Sequence, residues 1–433
     1  MVNELTILIK NTTVLDLNKF AAVENDILIE GNKISKIGVD IEVNDKENLK
    51  IIDGSNKVAL PGLINGHTHV AMTLFRGASD DLPLMDWLNN VIWPSESRLT
   101  GEDVYWGSLL GIVEMIKSGT TTFCDMYFFM DEVAHAVEQS GIRAILSRGM
   151  VALDPENGEK GLKESIDFIE KWQGKANGRI TTALAPHAPY TCPPEFLKDV
   201  IWEAKRLNVP INIHISETLD EISIIKERYG TTPVRHLESL GLFEVKTIGA
   251  HLVHVDDEEI QILKRYQVGA IHNPQSNMKL ASGIAPVAKM LEAGVLVGLG
   301  TDGAASNNDL DMIEELRAAS YLQKVSSMNP EALNAKTSIA MATSLGARAL
   351  GLTEVGLLKE GYKADIILLN TNETNFYPRH NIFNLIAYSA KGADVDTVIV
   401  DGEIIMEKRQ LTRLDEEKIK FEANKRGLKL VAG

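Results

Sequence analysis

The chain has 433 residues, 44% hydrophobic and 24% charged, an ordinary composition for a globular protein long enough to bury a large core. Its net charge is −16, from 44 Lys+Arg against 60 Asp+Glu. That balance argues against a nucleic-acid or anionic-membrane partner, whose binding rests on clustered basic residues. The opening "MVNELTILIKNTTVLDL" has no basic stretch leading into an apolar core, and no apolar run approaches the roughly 18 residues of a membrane span. The two cysteines, Cys124 and Cys192, cannot build a disulfide framework or a four-cysteine zinc site. The expectation is a reduced, cytoplasmic protein.

Residues 1–61 read as short strands. "LTILIKNTTVLDL", "DILIEGNKISKIG" and "KIIDGSNKVAL" alternate apolar and polar residues between Asn, Asp and Gly turns. From 62 to 355 the pattern changes. Eight apolar segments, "GLING", "TTTFCDM", "RAILSRGMV", "ITTALAPH", "PINIHISE", "TIGAHLVHV", "GAIHNP" and "VLVGLGTD", alternate with helix-length stretches such as "DEVAHAVEQSG" and "LDMIEELRAASYLQKV". Such a series predicts an α/β fold, a (β/α)₈ TIM barrel. Residues 356–433 return to strand character with "ADIILLN" and "DTVIVDGEIIMEKRQ", where Asp401-Gly402 is a hairpin signal. The two ends are therefore expected to form one small β-sandwich domain, with the barrel inserted between them.

Active sites of such barrels lie at the C-terminal ends of the strands. The polar residues there are His67 and His69 on the first strand, His187 on the fourth, His214 and Glu217 on the fifth, His251 on the sixth, His272 on the seventh and Asp302 on the eighth. Residues i and i+2 of a strand share a face, so the two imidazoles of "HTH" converge. Three imidazoles and a carboxylate suit one borderline divalent metal, most often zinc, and His67, His69, His214 and Asp302 are the natural set. Glu217, just past its strand, is placed to act as general acid/base. His251 and His254 are three apart and face opposite sides of a strand; His251 is read as the inward, charge-stabilising group and His254 as structural. His272 is read as a supporting or structural residue. Trp87 and Trp93 are read either as pocket walls or as core.

Three other patterns are set aside. "GLGTDG" (298–303) has the spacing of a dinucleotide-binding loop, but position 323 is Gln where an acidic residue is needed. The zinc patterns H-x-E…P-C-x-x-C and H-E-x-x-H are absent. The fourth strand ends "APHAPY", without the lysine that binuclear barrel hydrolases carry there, which favours a single metal.

"PGLINGHTH", "HISE", "HNPQSNMKLASGIAP" and "GTDGAASNN", together with "IWPSE" and "SRGM", resemble the amidohydrolase superfamily. Within it they resemble the branch of 5-methylthioadenosine/S-adenosylhomocysteine deaminases, with 5′-deoxyadenosine deaminases close by. "VGLLKEGYKADIILLN" is similar to the segment where this superfamily leaves its barrel for the small domain. The resemblance implies one divalent metal per subunit, zinc first with Fe²⁺ or Mn²⁺ as alternatives, held by His67, His69, His214 and Asp302. It implies hydrolytic deamination of the adenine ring of a 5′-modified adenosine, giving the inosine analogue and ammonia. Glu217 and Asp302 would contact the substrate and move protons, and His251 would attend the attacking hydroxide. Glu96 would accept the ribose hydroxyls, His187 would contact the nucleoside and Arg148 would help fix its 5′ end. Where some members carry a second arginine, "DPENGEKGLKES" offers only Lys160 and Lys163, which cannot grip a carboxylate bidentately. The implied partner is a small nucleoside, and a homo-oligomer is left open. The alternative is another mononuclear member, a guanine or cytosine deaminase or a triazine hydrolase. Glu96 separates the two, because a free base has no ribose diol.

Overall fold

Parallel strands buried on both faces need helices around them, and that requirement shapes the middle of the chain. The structure, a computed structural model, describes residues 5–44, 48–78, 80–82 and 84–432. The N-terminal strands are β1 (Thr6–Asp16), β2 (Ala21–Glu30), β3 (Lys33–Gly38), β4 (Leu49–Asp53) and β5 (Lys57–Pro61). The barrel strands are β6 (Leu63–Thr68), β7 (Thr120–Tyr127), β8 (Arg143–Met150), β9 (Ile180–Thr182), β10 (Ala185–Pro186), β11 (Ile211–Ile215), β12 (Thr247–His251), β13 (Gly269–His272) and β14 (Leu296–Leu299). The C-terminal strands are β15 (Ile366–Asn370), β16 (Val395–Val400), β17 (Glu403–Glu407) and β18 (Gln410–Leu411).

All eight expected barrel positions are occupied. The fourth is split into β9 and β10, the second of which ends in Pro186, a residue with no N–H for the ladder. β6 to β10 pair in parallel, as do β11 to β14. Asn212 N donating to Leu184 O at 2.8 Å and His214 N donating to His187 O at 3.0 Å join the two arcs. The barrel closes between β14 and β6. Asp302 N donates to His67 O at 2.9 Å. The Asn65 amide accepts from Thr301 N at 3.0 Å and donates to Thr301 Oγ1 at 2.7 Å. Gly300 is required at this seam, because a Cβ there would lie 2.7 Å from His67 N and 2.8 Å from His67 O.

The terminal strands form one sheet in the order β18-β17-β16-β15-β5-β1-β2-β3, with β4 on β1. β1 serves this sheet by bending. Its register with β2 shifts between Ile9 and Thr12, and Asn11 takes a left-handed φ of 57° while its N–H bonds to Asp26. One core of this sheet gathers Ile7, Ile27, Ile29, Ile366 and Ile399. Asp401 and Gly402 form the predicted two-residue turn, with φ of 52° and 78° as a type I′ hairpin requires. Among the described residues no helix is long and apolar enough to cross a membrane.

Arg143, at the start of β8, ties the barrel to this sheet. Its guanidinium donates to both oxygens of Asp365 at 2.7 and 3.0 Å and to Asp401 at 3.2 Å, and all three side chains are buried. Removing Arg143 leaves buried Asp365 without its cation, though Asp401 keeps Lys363 Nζ at 3.2 Å, and stranding one member of a buried ion pair costs about 3–5 kcal/mol. Arg143→Ala is therefore expected to lower the denaturation midpoint by that free energy, read by urea unfolding. A change below about 1 kcal/mol would contradict the role.

Candidate metal and active site

β6 ends in the first two imidazoles, and the chain turns at once into a short 3₁₀ helix, Val70–Phe75. Val70 N donates to buried Asp125 at 2.7 Å, which fixes that turn against β7. The rings of His67 and His69 lie 4.9 Å apart, and His214 from β11 stands 4.8 Å from His67 and 5.4 Å from His69. Asp302 approaches from the end of β14.

The tautomers are set by outer partners. His69 Nδ1 donates to Met126 O at 2.6 Å and His214 Nδ1 donates to His187 O at 2.7 Å, so both rings turn Nε2 inward. Those two Nε2 atoms are 3.4 Å apart, and Asp302 Oδ1 is 3.3 Å from His69 Nε2 and 3.6 Å from His67 Nε2. Ligands about 2.0–2.1 Å from a tetrahedral zinc stand about 3.4 Å from one another. Both ring nitrogens of His67 are fully buried with no hydrogen-bond partner in the protein, and a metal ion would satisfy Nε2, the one that faces Asp302. The donor set therefore fits a divalent cation.

Asp302 is aimed by three donors. Ser276 and Ser306 hydroxyls reach Oδ2 at 2.7 and 3.0 Å, and Gly303 N reaches Oδ1 at 2.8 Å. Its backbone is left-handed at φ 62°, as are His251 at 73° and Ser216 at 53°. Such backbone costs about 1–3 kcal/mol per residue and collects at functional sites. Burial opposes the charged form of His69, but the Asp302 carboxylate overrides it and lifts the imidazole to about 9. Burial likewise opposes ionised Asp302, yet the neighbouring imidazoles hold its carboxyl well below the usual range. His67 and His214 are pushed down by burial and by their like-charged neighbours, which keeps them neutral.

Beside this cluster lies Glu217, whose Oε2 is 3.8 Å from His251 Nε2. Burial raises its pKa above the ordinary carboxylate value. Its backbone is pinned by Glu221, which accepts from Ser216 N at 3.0 Å and Glu217 N at 2.8 Å. His251 Nδ1 donates to Asn277 Oδ1 at 2.9 Å, leaving Nε2 directed at the site.

A cavity of about 120 Å³ sits over these groups. His69, Glu217, His251 and Asp302 line its floor, and Trp87, Trp93 and Glu96 its walls. Glu96 accepts from the Tyr127 hydroxyl at 2.7 Å, and burial raises its pKa. His187 also lines the cavity; burial pushes it down to about 4, so it is neutral at physiological pH. Arg148 is not in this cavity. It lines an adjoining outer chamber and pairs with Glu164. His254 points away and meets Ser282 O at 2.7 Å, while His272 is buried.

Sequence reasoning missed the residues that orient the others. Glu221 carried a signal, since Thr218-x-x-Glu221 has the capping-box spacing. Thr218 does cap the helix Leu219–Tyr229, but Glu221 reaches back past it to hold Ser216 and Glu217. Asp125 was visible as a charge inside the apolar "TTTFCDM". Ser276 and Asn277 had no comparable mark.

The sequence profile of the amidohydrolase family matches residues 58–405. The chain is 53% identical over 429 residues to a 5-methylthioadenosine/S-adenosylhomocysteine deaminase of Dictyoglomus turgidum, covering 98% of this chain and 99% of the relative. It is 51% identical over 396 residues to a 5′-deoxyadenosine deaminase of Methanocaldococcus jannaschii, covering 91% and 94%. An adenosine deaminase from Xanthomonas campestris, solved with bound zinc, superposes with a TM-score of 0.94 at 30% identity over the full length of both chains. The chain belongs to the amidohydrolase family.

Proposed function

We propose that this chain is a hydrolytic deaminase of 5′-modified adenosines, converting them to the inosine analogue and ammonia. His67, His69, His214 and Asp302 would hold one divalent ion, zinc by preference since the Xanthomonas campestris relative was solved with it, with Fe²⁺ or Mn²⁺ as alternatives. Such an ion, when bound, supplies activated water near neutral pH. Everything else falls to the side chains. Glu217, whose pKa burial raises, donates its proton to the ring nitrogen N1 of adenine. Asp302 accepts the proton of the attacking water and returns it to the departing amine, and Glu217 takes back the proton of the new C6 hydroxyl as the carbonyl forms. His251, fixed by Asn277, stabilises negative charge as it develops beside Glu217. Glu96, fixed by Tyr127, accepts the ribose 2′- and 3′-hydroxyls, and His187 contacts the nucleoside. Trp87 and Trp93 shield the ring from bulk water. We assign this chemistry to a barrel domain spanning 62–355, with 1–61 and 356–433 forming the small domain.

The observation that carries this reading is an arrangement across one cavity: Glu217 and Asp302 on the floor, and a third carboxylate, half-buried Glu96, on the wall. A base-only substrate has no use for Glu96. The names borne by the Dictyoglomus turgidum and Methanocaldococcus jannaschii relatives support the 5′-modified adenosines. Hydrogen bonds to a charged acceptor are worth about 1.5–3 kcal/mol each. Glu96→Ala is therefore expected to lower kcat/KM for 5′-deoxyadenosine by about 100-fold or more, measured by the loss of adenine absorbance. Unchanged kcat/KM would sink the nucleoside reading.

A further inference from the structure

Past Trp93, Glu96 and Phe128, which line both spaces, the inner cavity continues into an outer chamber of about 760 Å³. Besides Glu96, the charged lining of that chamber is Arg148, Lys160 and Lys171 against Asp131, Glu164 and Asp167. Arg148 Nε donates to one oxygen of Glu164 at 2.7 Å, its Nη2 stands 2.6 Å from the same oxygen, and its Nη1 donates to Gly149 O at 2.8 Å. Lys160 Nζ lies 3.9 Å from the other Glu164 oxygen, and Lys171 Nζ is 2.7 Å from Asp131. Asp167 has no ion pair among the described residues. With Glu96 at its doorway the chamber thus has four carboxylates against three cations, and the Nε–Nη2 edge of its arginine is already occupied from within the chain.

We propose that Glu164 is a specificity-determining residue that steers this enzyme toward uncharged 5′ substituents and away from substrates ending in an α-aminocarboxylate. The inference rests on the deaminase reading above. With adenine over Glu217 and the ribose diol on Glu96, the 5′ carbon faces the doorway and its substituent enters the outer chamber. A substrate carboxylate must then displace Glu164 from the Nε–Nη2 edge of Arg148, the edge best shaped for bidentate binding. Glu164 is tethered in the same chain and competes at high effective concentration. A methyl or alkylthio group displaces no ion pair, and meets Trp93, Phe128 and Phe168 instead.

The test uses the metal-loaded full chain with 5′-methylthioadenosine and S-adenosylhomocysteine side by side. The wild type is expected to favour the methylthio compound in kcat/KM. Glu164→Gln should move the ratio toward S-adenosylhomocysteine by about fivefold, the scale of a partly exposed ion pair. In an Arg148→Met background the same substitution should leave the ratio unmoved, since no guanidinium is left to free. A wild type that favours S-adenosylhomocysteine, or a ratio indifferent to Glu164→Gln, overturns the proposal while leaving the deaminase reading in place. Turnover of neither nucleoside overturns both.

Discussion

Glu217→Gln is expected to cut kcat by about 10³-fold while substrate is still bound, the range lost when a positioned acid/base is removed. The amide is isosteric, and the backbone bonds that hold position 217 come from Glu221 and survive the change. The site keeps its shape, but at position 217 it loses its titratable proton. That proton is available because burial raises the pKa of Glu217, an effect partly offset by nearby His251. A carboxylate at its ordinary pKa would be almost wholly ionised at neutral pH and a poorer acid. The check is single-turnover kinetics alongside equilibrium binding of 5′-deoxyadenosine. A variant that retains more than about a tenth of the wild-type kcat would show that the proton travels by another route.

Asp302→Asn is expected to fail differently. The Ser276, Ser306 and Gly303 donors that aim Asp302 remain, so the barrel end should hold. What disappears is the one carboxylate among three imidazoles, and with it the proton acceptor. Metal content after desalting should drop to well under one ion per chain, and kcat should fall by at least about 10³-fold. His67 Nε2, buried without a hydrogen-bond partner in the protein, would then be left uncompensated, so the variant should also lose stability. Stoichiometric metal and near-wild-type turnover would contradict both roles of Asp302. Turnover lost with metal retained would separate the proton-transfer role from the ligand role.

Much of this site was legible because it is local. The i, i+2 rule placed His67 and His69 together, and their rings are indeed 4.9 Å apart. Strand ends then located His214, His251 and Asp302 without knowledge of contacts, because in a closed parallel barrel every strand end faces the same rim. One argument reached its answer by the wrong path. Alternation was used to turn His254 away from His251, but β12 stops at His251, where φ is 73°, and Leu252 follows at 49°. It is this left-handed turn, together with the bond to Ser282 O, that directs His254 away. What could not be read is long-range. Glu164 reaches Arg148 from sixteen positions away, and no spacing rule joins a strand end to the side of the following helix. Ser276 and Asn277 sit on a six-residue helix, Pro274–Lys279, too short for a hydrophobic period to show which face turns to Asp302 and His251. The resemblance named Arg148 as a contact to the 5′ end; its pairing with Glu164 could only come from the fold.

The most direct measurement is an ultraviolet difference assay of the zinc-loaded protein. It would use 5′-methylthioadenosine, S-adenosylhomocysteine, 5′-deoxyadenosine and adenosine, with guanine and cytosine as controls. Conversion of adenine to hypoxanthine in the 5′-modified adenosines, abolished by a chelator and restored by zinc, is the predicted result. Activity confined to a free base, with all four nucleosides untouched, would contradict it.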